Sequence, residues 1–142
     1  MAAWTRYATP EQFAAEIQRA VAQGYRVFKM HTCSHHDVFE QTRAAEAVAP
    51  DGFKIHYDFN HGRSLGAVLP VIAELEHNHP IVAWIEDPLI RYDIEGWRAL
   101  RQKTRIPIIM HGTPMGGMQE YKHDMADAYM IGGSMFDTMS AG

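Results

Sequence analysis

Two periods of apolar residues alternate along the 142-residue chain. Phe13, Ile17 and Val21 recur at i, i+4 and i+8, the spacing that gathers side chains on one helix face. Ahead of them, Thr9-Pro10-Glu11-Gln12 offers an N-cap, a proline at the first helical position and a glutamine to close a capping box, and Gly24 offers a left-handed stop. Residues 25–31 are short, rich in β-formers and bounded by polar residues, which predicts a strand. The pattern then repeats. Asp37 and Glu40 predict the cap of a helix through about Val48, Pro50-Asp51-Gly52 predicts a turn, and residues 53–58 predict a second strand. Ser64 opens a further helical stretch, in which Pro70 predicts either a kink or a regular part that starts near Leu69. Residues 81–86 predict a third strand, Asp93 caps a helix through about Lys103, and residues 106–111 predict a fourth strand. A weaker helix over residues 118–125 leads to an apolar stretch at 128–131.

Strands that alternate with amphipathic helices imply βαβ units, a mainly parallel sheet and right-handed crossovers. The fold class is therefore α/β, with a (β/α) barrel and a doubly wound sheet as the candidate architectures. No Gly/Ser linker or low-complexity stretch divides residues 1–142, so one domain is expected. With 46% hydrophobic and 21% charged residues the balance is that of a globular domain, which argues against disorder. A net charge of −4 without a run of Lys or Arg argues against nucleic acid or a membrane surface as partner and favours small molecules. The apolar runs are strand-sized, far short of the roughly 20 residues a membrane helix needs. A single cysteine, Cys33, excludes an internal disulfide, and the start MAAWTRYATP lacks the pattern of a secretory leader, so a cytoplasmic protein is expected.

The ionisable residues fall where the predicted strands end: Lys29 and His31, Asp58 and Asn60, Glu86 and Asp87, then His111. Both candidate folds build their sites on that edge. Asp58 and Glu86, at successive strand ends, can converge on a hard divalent cation, although a carboxylate ending a strand also serves as a helix cap or a solvated loop residue. Lys29 and His31 stand two positions apart and share one face of their strand. One positive charge beside the other would lower its pKa toward neutrality, as a general base requires. The plainer reading pairs Lys29 with a nearby carboxylate and leaves His31 a satisfied strand-end residue. No Walker A segment or G-x-G-x-x-G follows a strand, which weakens a nucleotide-binding reading. His35, His36, His61, His77, His79 and His123 show no zinc spacing such as H-E-x-x-H and read mostly as surface residues.

Longer segments carry a resemblance. Gly24-Tyr25-Arg26-Val27-Phe28-Lys29-Met30-His31 resembles the G-[FY]-x-x-x-K-x-K strand of the mandelate racemase family, with His31 at the second lysine. His56-Tyr57-Asp58-Phe59-Asn60 is similar to that family's D-x-N metal strand, and Trp84-Ile85-Glu86-Asp87-Pro88 to its W-I-E-[DE]-P strand. Asp93-Ile94-Glu95-Gly96 matches the D-x-x-G opening of the next helix, and Met125-Ala126-Asp127, running on to Gly132-Gly133, resembles the sixth-strand A-D segment. The likeness covers roughly residues 6 to 133, with the motifs in the family's order and spacing.

This resemblance implies a partial TIM-type (β/α) barrel of the enolase superfamily that abstracts a proton α to a carboxylate, in sugar-acid dehydration or in racemisation. Such chemistry builds an enediolate whose second negative charge needs a metal ion. The likeness gives Asp58 and Glu86 to a divalent metal, Mg²⁺ first and Mn²⁺ next. Asn60 would orient the first ligand or bind substrate, Lys29 and His31 would be the acid/base strand, and Asp127 would support a second acid/base dyad or merely start a strand. The chain departs from the family at the fourth strand. Pro107-Ile108-Ile109-Met110 is followed by His111-Gly112, where the family has a carboxylate. His111 would either ligate the metal, shifting preference toward Mn²⁺, Zn²⁺ or Fe²⁺, or bind substrate. The expected partner is a small carboxylate such as a sugar acid. A full barrel takes around 250 residues, so the last barrel strands and the capping domain are expected to be absent and the open edges to favour a homo-oligomer. On this reading the chain alone is weakly active or inactive. The alternative is a non-catalytic barrel fragment that folds by oligomerising.

Overall fold

A computed structural model describes Met1, residues 8–111 and residues 119–130. Its elements alternate from the start: α1 (Pro10–Ala22), β1 (Val27–His31), α2 (Val38–Glu46), β2 (Lys54–Asp58), α3 (Leu65–Asn78), β3 (Val82–Glu86), α4 (Ile94–Arg101), β4 (Ile108–His111), α5 (Gln119–Lys122) and β5 (Ala128–Met130). The expected Met118 start, Ile131 and the Gly132-Gly133 pair lie outside the described residues.

Local chemistry explains the boundaries. Thr9 and Gln12 form the reciprocal capping box of α1. Gly24, at φ +82°, turns the chain so that the Tyr25 amide bonds Ala20, which delays β1 to Val27. Asp37 caps α2 alone, accepting from the amides of Phe39 and Glu40. Pro70 lies inside α3, yet the helix runs from Leu65 to Asn78 and its regular part does not wait for Leu69. Pro107 has no N–H to donate to a ladder, and β4 starts one residue later. Asp124, in the left-handed region at φ +54°, ends α5 after a single turn. In α4 the Asp93 carboxylate accepts from the Gly96 amide at 2.9 Å, and a Cβ at position 96 would collide with that carboxylate, which gives the D-x-x-G spacing its physical reason.

All pairings are parallel, and strand order follows chain order, β1-β2-β3-β4-β5. A doubly wound sheet needs a reversal of order, and none occurs among the described strands. Crossovers of one hand instead lay every helix on one face and curl the sheet, as in part of a (β/α) barrel. The two faces differ sharply. Phe28, Met30, Ile55, Tyr57, Ile85, Ile108 and Met110 are buried toward the helices, together with Phe13, Ile17, Ile72, Leu75 and Trp97. Residues one position away, Lys29, His31, His56, Asp58, Glu86 and His111, form the opposite face. In register His31 stands beside Asp58, and Asp58 beside Glu86.

Candidate active site

Three strands deliver one charge cluster. Lys29 on β1 places Nζ 3.0 Å from Asp58 Oδ2 on β2 and 2.8 Å from both oxygens of Glu86 on β3. His56 Nε2 lies 2.7 Å from Glu86 Oε2, close but without hydrogen-bond alignment. His111 Nδ1, at the end of β4, is 3.3 Å from Glu86 Oε1. Lys29, His56, Asp58 and Glu86 are all buried, whereas the His111 side chain is 45% exposed and forms the open side.

The loops hold these groups in place. Asp58 Oδ1 accepts from the backbone amide of Asn60, which the left-handed conformation of Asn60 (φ 53°) turns toward it. The Asn60 side-chain oxygen lies 3.0 Å from His31 Nδ1, and His31 Nε2 lies 3.5 Å from Asp58 Oδ2. Asn60 thus orients both the expected metal ligand and the expected acid/base histidine. Asp87, also at positive φ (47°), accepts from the His111 amide at 2.8 Å and pairs with His61 Nε2 at 3.0 Å. His61 Nδ1 reaches the Leu89 carbonyl. The Asp87 bond raises the His61 pKa against the pull of burial, which favours an imidazolium that donates from both ring nitrogens.

Electrostatics corrects one expectation. Lys29 does not have a lowered pKa: burial acts in that direction, but the contacts with Glu86 and Asp58 outweigh it and raise the value. Burial likewise pushes Glu86 up, while His56 and Lys29 hold its carboxyl at about 2. A depressed folded pKa adds stability above the unfolded value, near 4.3 for glutamate, and that stability is lost as pH falls toward the folded value. The metal-free protein should therefore lose a few kcal/mol between about pH 4.3 and 2 through this one group. Denaturation followed across that window in wild type and Glu86→Gln checks it; identical slopes would remove Glu86 as the cause.

Asp127 is not brought to this cluster. Its carboxylate accepts from the Ile108 amide at 2.8 Å and from Arg101 Nε at 2.7 Å, and its own amide bonds the Ile108 carbonyl. Ile108 begins β4 and His111 ends it, so Asp127 sits at the amino edge, opposite the charge cluster. That is the placement of a strand-start residue. Asp127→Ala should cost about 1–3 kcal/mol by orphaning the Ile108 amide and leave divalent-ion binding unchanged; weakened ion binding with intact stability would reverse the assignment.

His56, outside the expected site, stands two residues before Asp58 on one strand and so already shares its face. Asp87 ties β3 to β4 and a turn brings Cys33, His35 and His36 together, neither of which residue spacing signals. Beside the charge cluster, a cavity of about 220 Å³ is lined by His31, Cys33, Phe59, Asn60 and Arg63 among others.

Donor chemistry at the strand ends suits a cation. Asp58 and Glu86 already converge on the Lys29 ammonium, and donor atoms of Glu86, Asp87 and His111 lie within 4.8 Å of one another. Two carboxylates with an imidazole beside them fit a divalent ion.

The enolase C-terminal domain-like family model matches residues 12–132. The chain is 31% identical over 107 residues to an N-succinyl-L-Arg/Lys racemase of Bacillus cereus, covering 72% of this chain and 28% of the racemase. It is 26% identical over 133 residues to a D-galactonate dehydratase of Verminephrobacter eiseniae, covering 87% and 34%. The crystal structure of the Bacillus cereus racemase superposes with a TM-score of 0.80 at 26% identity, over 92% of this chain and 36% of that one. A dipeptide epimerase of Enterococcus faecalis crystallised with Mg and L-Leu-L-Tyr gives the same TM-score at 16% identity, over 90% and 37%, a likeness of fold alone. The chain thus spans about a third of the length of these relatives.

Proposed function

We propose, for a chain that belongs to the enolase C-terminal domain-like family of the enolase superfamily, that its polar sheet edge serves metal-assisted removal of a proton α to a carboxylate, in sugar-acid dehydration or racemisation. The observation that carries this reading is the convergence of Asp58 and Glu86, from neighbouring strands, on a single buried positive charge. Asp58, Glu86 and His111 would hold a divalent ion, Mg²⁺ in the first instance and Mn²⁺ in the second. When bound, such an ion would supply positive charge that stabilises the substrate carboxylate as the α-proton leaves.

Lys29, buried at the same sheet edge, would exchange the proton with the substrate carbon on its side of the site. His31 shares the Lys29 face nearer the rim, where Asn60 fixes the ring, and is placed to move a proton on the same side. Asn60 and His111, at the open end, would meet the polar groups of the substrate. The substrate is a small carboxylate such as a sugar acid, and the expected location is the cytoplasm. Among the described residues no helix is long and apolar enough to cross a membrane.

The raised Lys29 pKa favours a second reading, in which the ammonium is a fixed structural counter-ion and the chain a non-catalytic fragment that oligomerises. Among the described residues β1 pairs only with β2 and β5 only with β4, so both outer strands offer an edge to a second copy. The two readings separate in D₂O. With Mg²⁺ or Mn²⁺ and a panel of sugar acids, loss of the α-proton NMR signal is expected, and Asp58→Ala should abolish it. Absence of exchange for every acid, despite metal binding and an oligomeric mass, would leave the second reading standing.

A further inference from the structure

The loop that follows β1 brings three soft or borderline donors to one point. Cys33 Sγ lies 3.3 Å from His35 Nε2 and 3.2 Å from His36 Nδ1, and the three donor atoms are all within 4.8 Å of one another. A tight turn produces this geometry: the His36 amide bonds the Cys33 carbonyl at 3.1 Å, folding His36 back over the cysteine. The turn is anchored on both sides. Asp37 caps α2 directly after it, and Arg63, its guanidinium 4.7 Å above the Phe59 ring, approaches the Cys33 carbonyl at 3.4 Å.

Bond lengths of about 2.3 Å to sulfur and 2.0–2.1 Å to nitrogen, at tetrahedral angles, put the sulfur and nitrogen ligands of zinc roughly 3.5 Å apart. The two S···N distances here fall a few tenths of an ångström short of that, so an ion needs only a small outward shift of the rings. Cys33 and His36 are half-buried and His35 is exposed, which leaves a path for entry.

We propose that Cys33, His35 and His36 form a binding site for one borderline-soft divalent ion of the Zn²⁺ class, separate from the carboxylate centre and sharing no ligand with it. Three protein donors leave a fourth position for water or an anion. Binding converts the Cys33 thiol to a metal thiolate and releases its proton to solvent, with no change of oxidation state. Thiolate and imidazole select against Mg²⁺, so Mg²⁺ does not compete for this site.

Cys33 is the only cysteine of the chain, so any thiolate-to-metal signal reports this residue alone. Titration of the protein with Co²⁺ is expected to raise a near-ultraviolet thiolate-to-cobalt band that saturates at one ion per chain. Zn²⁺ should displace it, and excess Mg²⁺ should leave it unchanged. Cys33→Ser should lose the band, and His35→Ala and His36→Ala should each weaken Co²⁺ binding at least tenfold. In wild type, stoichiometric Zn²⁺ should also protect the thiol from alkylation, a measurement that needs no variant. A band that appears only in large excess of Co²⁺, affinity unchanged in both histidine variants, or alkylation at full rate with Zn²⁺ present would overturn the site.

Discussion

Lys29→Met is expected to destabilise the metal-free protein by about 3–5 kcal/mol, the cost of removing one partner from a buried ion pair, and to enlarge the stabilisation that a divalent ion confers. Without the ammonium, Asp58 and Glu86 are neighbouring buried carboxylates of like charge that keep only nearby imidazoles and the Asn60 amide as partners, and one is driven to take up a proton. An added cation then meets two ligands without the ammonium as competitor. By mass action, an ion at a hundred times its Kd adds about 2.7 kcal/mol, and the variant reaches that occupancy at a lower ion concentration than wild type. Urea denaturation of both proteins with and without Mg²⁺ or Mn²⁺ measures the two effects. A metal increment no larger than that of wild type would mean that the carboxylates which hold Lys29 do not hold the ion.

The second large effect lies outside the charged cluster. Trp97→Ala is expected to lower stability by about 3–5 kcal/mol, the range for emptying a buried aromatic site. Trp97 is fully buried in α4, its indole N–H donates to the Ile90 carbonyl at 3.0 Å, and its ring lies 6.3 Å from that of His61. It therefore braces the segment that runs on from Glu86 and Asp87, and its loss should also weaken divalent-ion binding. Trp97→Phe keeps most of the apolar volume and should cost less than half as much, through the lost indole bond to an Ile90 carbonyl that still accepts from the Asp93 amide. Equal losses in denaturation midpoint for the two variants would show that the hydrogen bond, and not the packing, dominates.

The fold was legible because apolar spacing, caps and turn residues all act locally, and each could be read within a dozen positions. Thr9, Asp37 and Asp93 cap as expected, and Asp58, Asn60 and Glu86 reach the same sheet edge because each stands at or just past the end of its own strand. Charge states were not legible in the same way. Lys29 acquires its raised pKa from a residue 57 positions away, and the sequence says only that a lysine and a histidine share a strand face. Asp127 was ambiguous because a start-of-strand aspartate and a catalytic one carry the same letters, and only its bond to the Ile108 amide separates them. The Cys33 cluster escaped for another reason. Its donors converge through one tight turn, and a C-x-H-H run carries no spacing signal until that turn is seen.

Strand order that follows chain order bears on the kinetics of folding. Each parallel pairing closes one crossover of similar length, and because closure entropy grows only slowly with loop length, no single step is far costlier than the next. The Lys29 to Glu86 contact differs, since it needs β1, β2 and β3 together before it can form. Interactions completed after the rate-limiting barrier slow escape from the native state without hastening arrival. A cation held between Asp58 and Glu86 would then act as a latch on the finished sheet, lengthening the lifetime of the native chain while leaving its refolding rate almost untouched.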